Sequence, residues 1–166
     1  MTDRLMTYDE FSTLLCRIEA VLNSRPITFI SDNPNDFEAL TPGHFLIGRP
    51  LNSRLERDFT DLQQGQLKRW DMIQQAQQLF WKFWYKDLIN AQIRPKDSTK
   101  KVQYYLNDLV LIMDSNVPSM KWKIGRIVIL HKGRDGQIRS VTVKTSSSEV
   151  KRHVNYICKI PIETAE

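Results

Sequence analysis

A chain of 166 residues with 41% hydrophobic and 26% charged content can bury one ordinary core or two small ones, which excludes disorder as its default state. No window approaches the ~18 apolar residues needed to cross a bilayer, and Met1 to Asp9 lacks the apolar run behind basic residues that marks a signal peptide, so a soluble intracellular protein is expected. The net charge of +5 conceals a polarity: residues 1–65 carry 6 Lys/Arg against 10 Asp/Glu, residues 66–166 carry 18 against 9, and the second half is therefore the one suited to a polyanion.

Thr7-Tyr8-Asp9-Glu10 has the form of a capping box, with Met6 and Phe11 at staple positions. Phe11, Leu14, Leu15, Ile18, Val21 and Leu22 follow at helical spacing and predict one apolar stripe. The helix should stop near Asn23, because Pro26 disfavours helix at Arg25. At ~100° per residue Glu19 falls on the edge of the stripe, where a solvated or arginine-paired carboxylate belongs. Asp32, Asp36 and Glu38 in SDNPNDFEA are metal candidates by count alone, since a two-metal site needs acids converging from different elements. Thr41 to Gly48 predicts a short helix with Thr at the N-cap, Pro in the first turn and Gly as the stop. Arg49-Pro50 closes that unit, and residues 52–65 are a polar connector.

Residues 66–93 contain neither Gly nor Pro and predict a long helix. Trp70, Ile73, Gln77, Phe80, Trp84 and Leu88 form one row, with Met72, Ala76, Leu79 and Phe83 beside it. Between 79 and 85 the helix is apolar nearly all round, so it should pack on two sides, against another domain or another chain. Stacking on nucleic-acid bases is the alternative use of such rings.

From Val102 the period becomes two. Leu109 to Met113 and Trp122 to Leu130 read as strands, the glycine of the second marking a bend or bulge. Lys132 to Gln137 supplies the Asp-Gly of a tight hairpin, Ile138 to Thr145 returns as a strand, and Val150 to Ile162 adds one or two more. Five short strands without an intervening helix predict a small closed barrel of the SH3-like kind. Cys16 and Cys158 sit in apolar periodic segments and read as buried free thiols. His44, His131 and His153 are too scattered for a zinc motif.

IEAVLNSRPIT, ALTPGHFLIGRPL, the helix with paired tryptophans, NDLVLI, WKIGRI, DGQIRSVTVKT and RHVNYICKIP together resemble the carboxy-terminal portion of a Bel/Pao-type retrotransposon integrase, from about Thr7 to about Pro161. The TPGHFLIGRPL block and the W-x-x-GRI…DG…R-x-V-x-V-K-T block are its specific parts. The resemblance implies an α+β chain in three parts: 1–52, terminal helices of a truncated RNase H-like core; 53–98, a connector and a long aromatic-rich helix; 99–163, an SH3-like five-stranded β-barrel. In such integrases the core breaks and joins DNA with divalent metal held by a D,D,E triad, and the barrel binds DNA. The catalytic glutamate of relatives stands on an earlier helix, so by position Glu19 is not that residue, and neither the aspartate-bearing strands nor the zinc-binding amino-terminal domain is in this sequence. The expectation is a non-catalytic, nuclear, nucleic-acid-binding fragment with no cofactor and no metal. Its expected partners are DNA and either the remainder of an integrase or a second copy of the chain, through the Leu79 to Tyr85 surface, with no membrane.

Between Lys100 and Lys159 stand 12 Lys/Arg against 4 Asp/Glu. The predicted phosphate contacts are Lys121, Lys123, Arg126, Lys132, Arg134, Arg139, Lys144, Lys151 and Arg152, with Lys82, Lys86, Arg94 and Lys96 adding charge from the preceding helix. Such contacts position a protein on DNA without reading bases, so low sequence specificity is expected. Other readings stay open at this level. The lysines can simply keep barrel edges soluble. Tyr104, Tyr105, Trp122 and Tyr156 can build an aromatic cage for methylated lysine, which would make the chain a chromatin-peptide module. The two amphipathic helices can pack on each other or pair between chains.

Overall fold

A computed structural model describes residues 5–31, 33, 35–51, 56–93, 102–114, 117–134 and 136–160. Asp32, Arg94, Lys96, Lys100, Asp135 and Pro161 lie outside the described residues. Helix α1 (Tyr8–Asn23) starts at the capping box: Glu10 N–H donates to Thr7 Oγ1, and Thr7 N–H donates to the Glu10 carboxylate at 2.8 Å. The same carboxylate accepts from Arg69 at 2.8 Å. The Arg69 hydrogen bonds first, and the Thr7 amide after them, pull the Glu10 pKa from 4.5 to about 2.

Two short strands, β1 (Thr28–Phe29) and β2 (Ala39–Leu40), pair antiparallel and hold a loop between them. Helix α2 (Pro42–Ile47) begins where Thr41 N–H donates to His44 Nδ1 at 3.0 Å, and ends at Gly48, whose left-handed φ of 71° lets its N–H reach the His44 carbonyl.

Helix α3 (Arg69–Ile93) starts later than predicted, because the positions just before it form a 3-10 turn at Gln64–Gln66. Its buried line matches the predicted one only in part: Ile73 and Gln77 of the first row and Met72 of the second are buried, and Phe80 and Trp84 are half-buried against the core. Gln77, Trp81, Tyr85 and Ile89, four residues apart, point inward, while Trp70 (52% exposed) and Phe83 (66% exposed) do not. The all-round apolarity of 79–85 concealed which side would win. The polar handles of the buried rings settle it: Trp81 Nε1 donates to the Val117 carbonyl at 3.1 Å and the Tyr85 hydroxyl to that of Ile112 at 3.0 Å. Helix α1 reaches this cluster through Val21 and buries Leu14, leaving Phe11 and Leu15 half-exposed, so only one edge of the predicted stripe is seated. Cys16, expected to be buried, is exposed; Cys158 is buried, which pushes its thiol up to about 12.

The remaining strands are β3 (Leu109–Ile112), β4 (Ile124–Lys132), β5 (Ile138–Thr145), β6 (Glu149–His153) and β7 (Ile157–Lys159). They form one antiparallel sheet in the order β6-β5-β4-β3-β7. The chain thus meanders through four neighbours, and a 3-10 turn at Val154–Tyr156 carries it to the far side of β3. This is an α+β fold with a small, barrel-like five-stranded sheet. All of β3 is buried: Val110 and Ile112 join Ile127, Val141, Val143 and Ile157 in the barrel interior, while Leu109 and Leu111 join Cys158 and Ile160 against α3.

β4 begins at Ile124, so Trp122 is not a barrel-interior residue. It packs outside, 4.9 Å from Trp81 and 5.5 Å from Tyr85 between ring centroids, and donates Nε1–H to Ser24 Oγ of the α1 terminus. The β4–β5 register shifts between Ile127 and Ile129 and again between His131 and Lys132, and not at Gly125. Gly125 serves close approach instead, since a Cβ there would stand 2.5 Å from Val143 Cγ1 and 2.6 Å from the Lys144 carbonyl. Among the described residues no helix is long and apolar enough to cross a membrane.

The contact at Gly125 yields a measurable consequence. Gly125→Ala should destabilise the fold by about 2–3 kcal/mol in chemical denaturation, because backbone and a packed valine must both move; an unshifted midpoint would contradict the close β4–β5 contact.

Candidate nucleic-acid interface

Because Val141 and Val143 point into the barrel, Ser140, Thr142 and Lys144 of β5 point out, and the residues opposite them share that face. Three rows result across β4, β5 and β6: His131–Ser140–His153, Ile129–Thr142–Lys151 and Arg126–Lys144–Glu149. His131 Nε2 lies 2.8 Å from Thr142 Oγ1, and His153 Nδ1 accepts from Asn155 N–H at 3.2 Å.

The predicted phosphate contacts separate by position on this surface. Lys151 is exposed in the middle row. Lys132, Arg134 and Arg139 are exposed on and beside the β4–β5 hairpin, next in sequence to the histidine row. There Gly133 N–H donates to the Gln137 carbonyl at 2.8 Å and Gly136 takes a φ of 73°. Lys144 stands at the border, its Nζ 3.2 Å from Asn35 Oδ1 of the β1–β2 loop.

The other four do not join them. Arg126 is 5% exposed, and its guanidinium donates to three backbone carbonyls: Ser31 at 2.7 Å, Asp36 at 3.1 Å and Asn107 at 3.2 Å. Its donors are committed to the protein, which removes it from the phosphate set. Lys121 is exposed in the turn before β4, outside the three rows, and Lys123 Nζ pairs with Asp114 at 3.0 Å. Arg152 points the opposite way to Lys151 and lines a cleft along α3.

That cleft, of about 950 Å³, has Trp81 and Tyr85 at its floor. Arg17, Lys82, Lys86 and Arg152 on its walls are matched by Glu56, Asp58, Asp61 and Asp114. Arg17 pairs with Glu56 at 2.7 Å. The walls therefore carry no surplus charge to draw a polyanion, and Lys82 and Lys86 do not extend the cationic sheet face.

The four residues of the aromatic-cage reading are spread over different environments. Tyr104 packs on the barrel interior and donates to the Ile157 carbonyl at 3.4 Å. Tyr105 is exposed, with Lys159 Nζ 5.1 Å from its ring centroid. Trp122 belongs to the α3 cluster, and Tyr156 is at the cleft. They enclose no common space. Among the described residues no group of three His, Cys, Asp or Glu side chains is placed to hold a metal ion. Sequence spacing missed the two histidines of the outer face. Their pairing on either side of Ser140 exists only once both strand registers are known, although the outward phase of each strand is legible.

Arg126→Met should cost about 2–3 kcal/mol of stability, since three carbonyls lose a charged donor, and should accelerate amide exchange across the loop it holds. Wild-type stability and protection in that variant would show the guanidinium to be expendable.

No curated protein and no solved structure matches the chain. The model of a family of unknown function (DUF5641) matches residues 68–160, from the approach to α3 through the end of β7. That span is more than half of the 166 residues, and the chain belongs to that family.

Proposed function

We propose that this chain is a non-catalytic nucleic-acid-binding module of a retrotransposon integrase, acting in the nucleus, and that the outer face of β4, β5 and β6 contacts DNA phosphates with little sequence specificity. The observation that carries the reading is the uncovered pair of rows His131–Ser140–His153 and Ile129–Thr142–Lys151, which hold no carboxylate and adjoin Lys132, Arg134 and Arg139. Cations there meet the phosphate charge, and the hydroxyl and imidazole groups between them offer hydrogen bonds of the kind that fix position without reading bases. The integrase origin rests on the TPGHFLIGRPL and W-x-x-GRI blocks of the sequence.

Titration of duplex DNA against salt tests this. The combined variant Lys132→Ala, Arg134→Ala, Lys151→Ala should weaken binding to all duplex sequences alike and flatten the dependence of log K on log salt by roughly 0.9 per lost phosphate contact. Lys121→Ala with Lys123→Ala should change little. Affinity that barely responds to salt, or an equal loss from both variants, would defeat the assignment.

A second reading, a protein-interaction module, draws on a separate observation. Tyr8 (85% exposed), Phe11 and Leu15 on α1, and Phe45 (75% exposed) and Leu46 on α2, leave apolar surface uncovered. The Leu79 to Tyr85 block offers less than its composition suggests, because Trp81 and Tyr85 are buried within the chain. If α1 pairs with a second copy, light scattering should show a concentration-dependent dimer that Leu15→Glu dissociates; a monomer at every concentration excludes self-pairing.

A further inference from the structure

The loop between β1 and β2 lies against the same sheet that carries the proposed phosphate contacts. Of the carbonyls held by Arg126, Ser31 and Asp36 are in this loop, and Asn35 of the loop holds Lys144. Arg126 and Lys144 are direct neighbours across β4 and β5, so the loop covers one end of the outer face and leaves the histidine end open. Its shape is set internally. Asn33 N–H donates to Ser31 Oγ at 3.1 Å, Asn35 N–H to Asn33 Oδ1 at 3.0 Å, and Glu38 N–H to Asp36 Oδ1 at 2.9 Å. The sequence SDNPNDFEA carries three acids and no cation.

Resting on the proposed DNA contact, we infer that this loop is an autoinhibitory strap that competes with phosphate for the Lys144 end of the face. The two attachments differ in kind. Arg126 is buried and makes three hydrogen bonds, so it is a rivet. Lys144 makes a 3.2 Å bond to a neutral amide at an exposed position, and a phosphate oxygen offers a stronger, charge-assisted partner. Lys144 also stands opposite Glu149 on β6. With the strap seated, Lys144 is occupied and the adjoining acids repel a duplex. When Lys144 turns from Asn35 to a phosphate, the loop staying riveted by Arg126, the cationic surface extends from Lys151 through Lys144. The strap thus limits affinity and does not create it.

The test compares the intact chain with the variant Asn35→Ala, Asp36→Asn, Glu38→Gln. This variant removes the Lys144 tether and two charges while keeping an acceptor at position 36 for the turn. The readouts are duplex DNA affinity across a salt series and amide exchange over 31–38 with and without DNA; thermal melting of both proteins confirms that each is folded. The variant should bind about three- to fivefold tighter at low salt, with a salt slope steeper by roughly 0.9, one phosphate contact. In the intact chain, loop amides should lose protection when DNA binds. Equal or weaker binding by the variant, or loop amides that gain protection with DNA, overturns the strap and leaves the DNA reading standing. DNA binding by the variant alone supports both proposals, and binding by neither protein overturns both.

Discussion

The burial of β3 on both faces is the constraint from which the rest of the molecule follows. An ordinary sheet strand gives one face to a core and one to water; here Leu109 and Leu111 are sealed by α3 as completely as Val110 and Ile112 are sealed by the barrel. A four-residue strand with no exposed position cannot be stable unless both layers are present together. Helix α3 and the barrel therefore depend on each other, and the family match spans both, from beside α3 to just past β7.

Trp122 extends that seam to α1. Its ring closes over Trp81 and Tyr85, and its N–H reaches Ser24 where α1 ends. Arg126, four residues on, fastens the β1–β2 loop. Both ends of the short segment 122–126 thus bind the amino-terminal elements to the barrel, one by aromatic packing and one by hydrogen bonds. What these attachments cover also decides what stays open: α3 takes the β3 and β7 side, the loop takes the Arg126–Lys144 row, and the hairpin side of β4 to β6 remains.

Much of the architecture was legible from the chain alone. The capping box at Thr7 and Glu10, the Thr-Pro…Gly signals of α2 and the strand from Ile138 to Thr145 are local devices, and local rules read them correctly. The inward line of α3 was legible at Ile73 and Gln77 but not at Trp81, Tyr85 and Ile89. Trp81 and Phe83 are both apolar rings, and what seats Trp81 and Tyr85 inward, the Trp122 ring and the carbonyls of Val117 and Ile112, comes from segments remote in sequence. The site was read in the same uneven way. Lys132, Arg134, Arg139 and Lys151 are exposed, as charge patterning suggests, but nothing local separates Arg126 from them, because two of its three carbonyl partners are 90 and 95 residues away in sequence.

Arg126 also shows why a count of positive residues overstates an electrostatic surface. It lies directly opposite Lys144 on the same outer face, so strand phase alone would assign both to a ligand. Burial reverses the assignment. A guanidinium in water is free to release counterions when phosphate approaches, whereas one that already satisfies three carbonyls would have to break those bonds first. The same residue type on the same face therefore contributes to stability in one place and to association in another, and a neighbouring carbonyl decides between them. Accordingly, the salt dependence of any polyanion complex should report the hairpin-side cations and, when it turns from Asn35, Lys144, but never the full complement of Lys and Arg in the basic half.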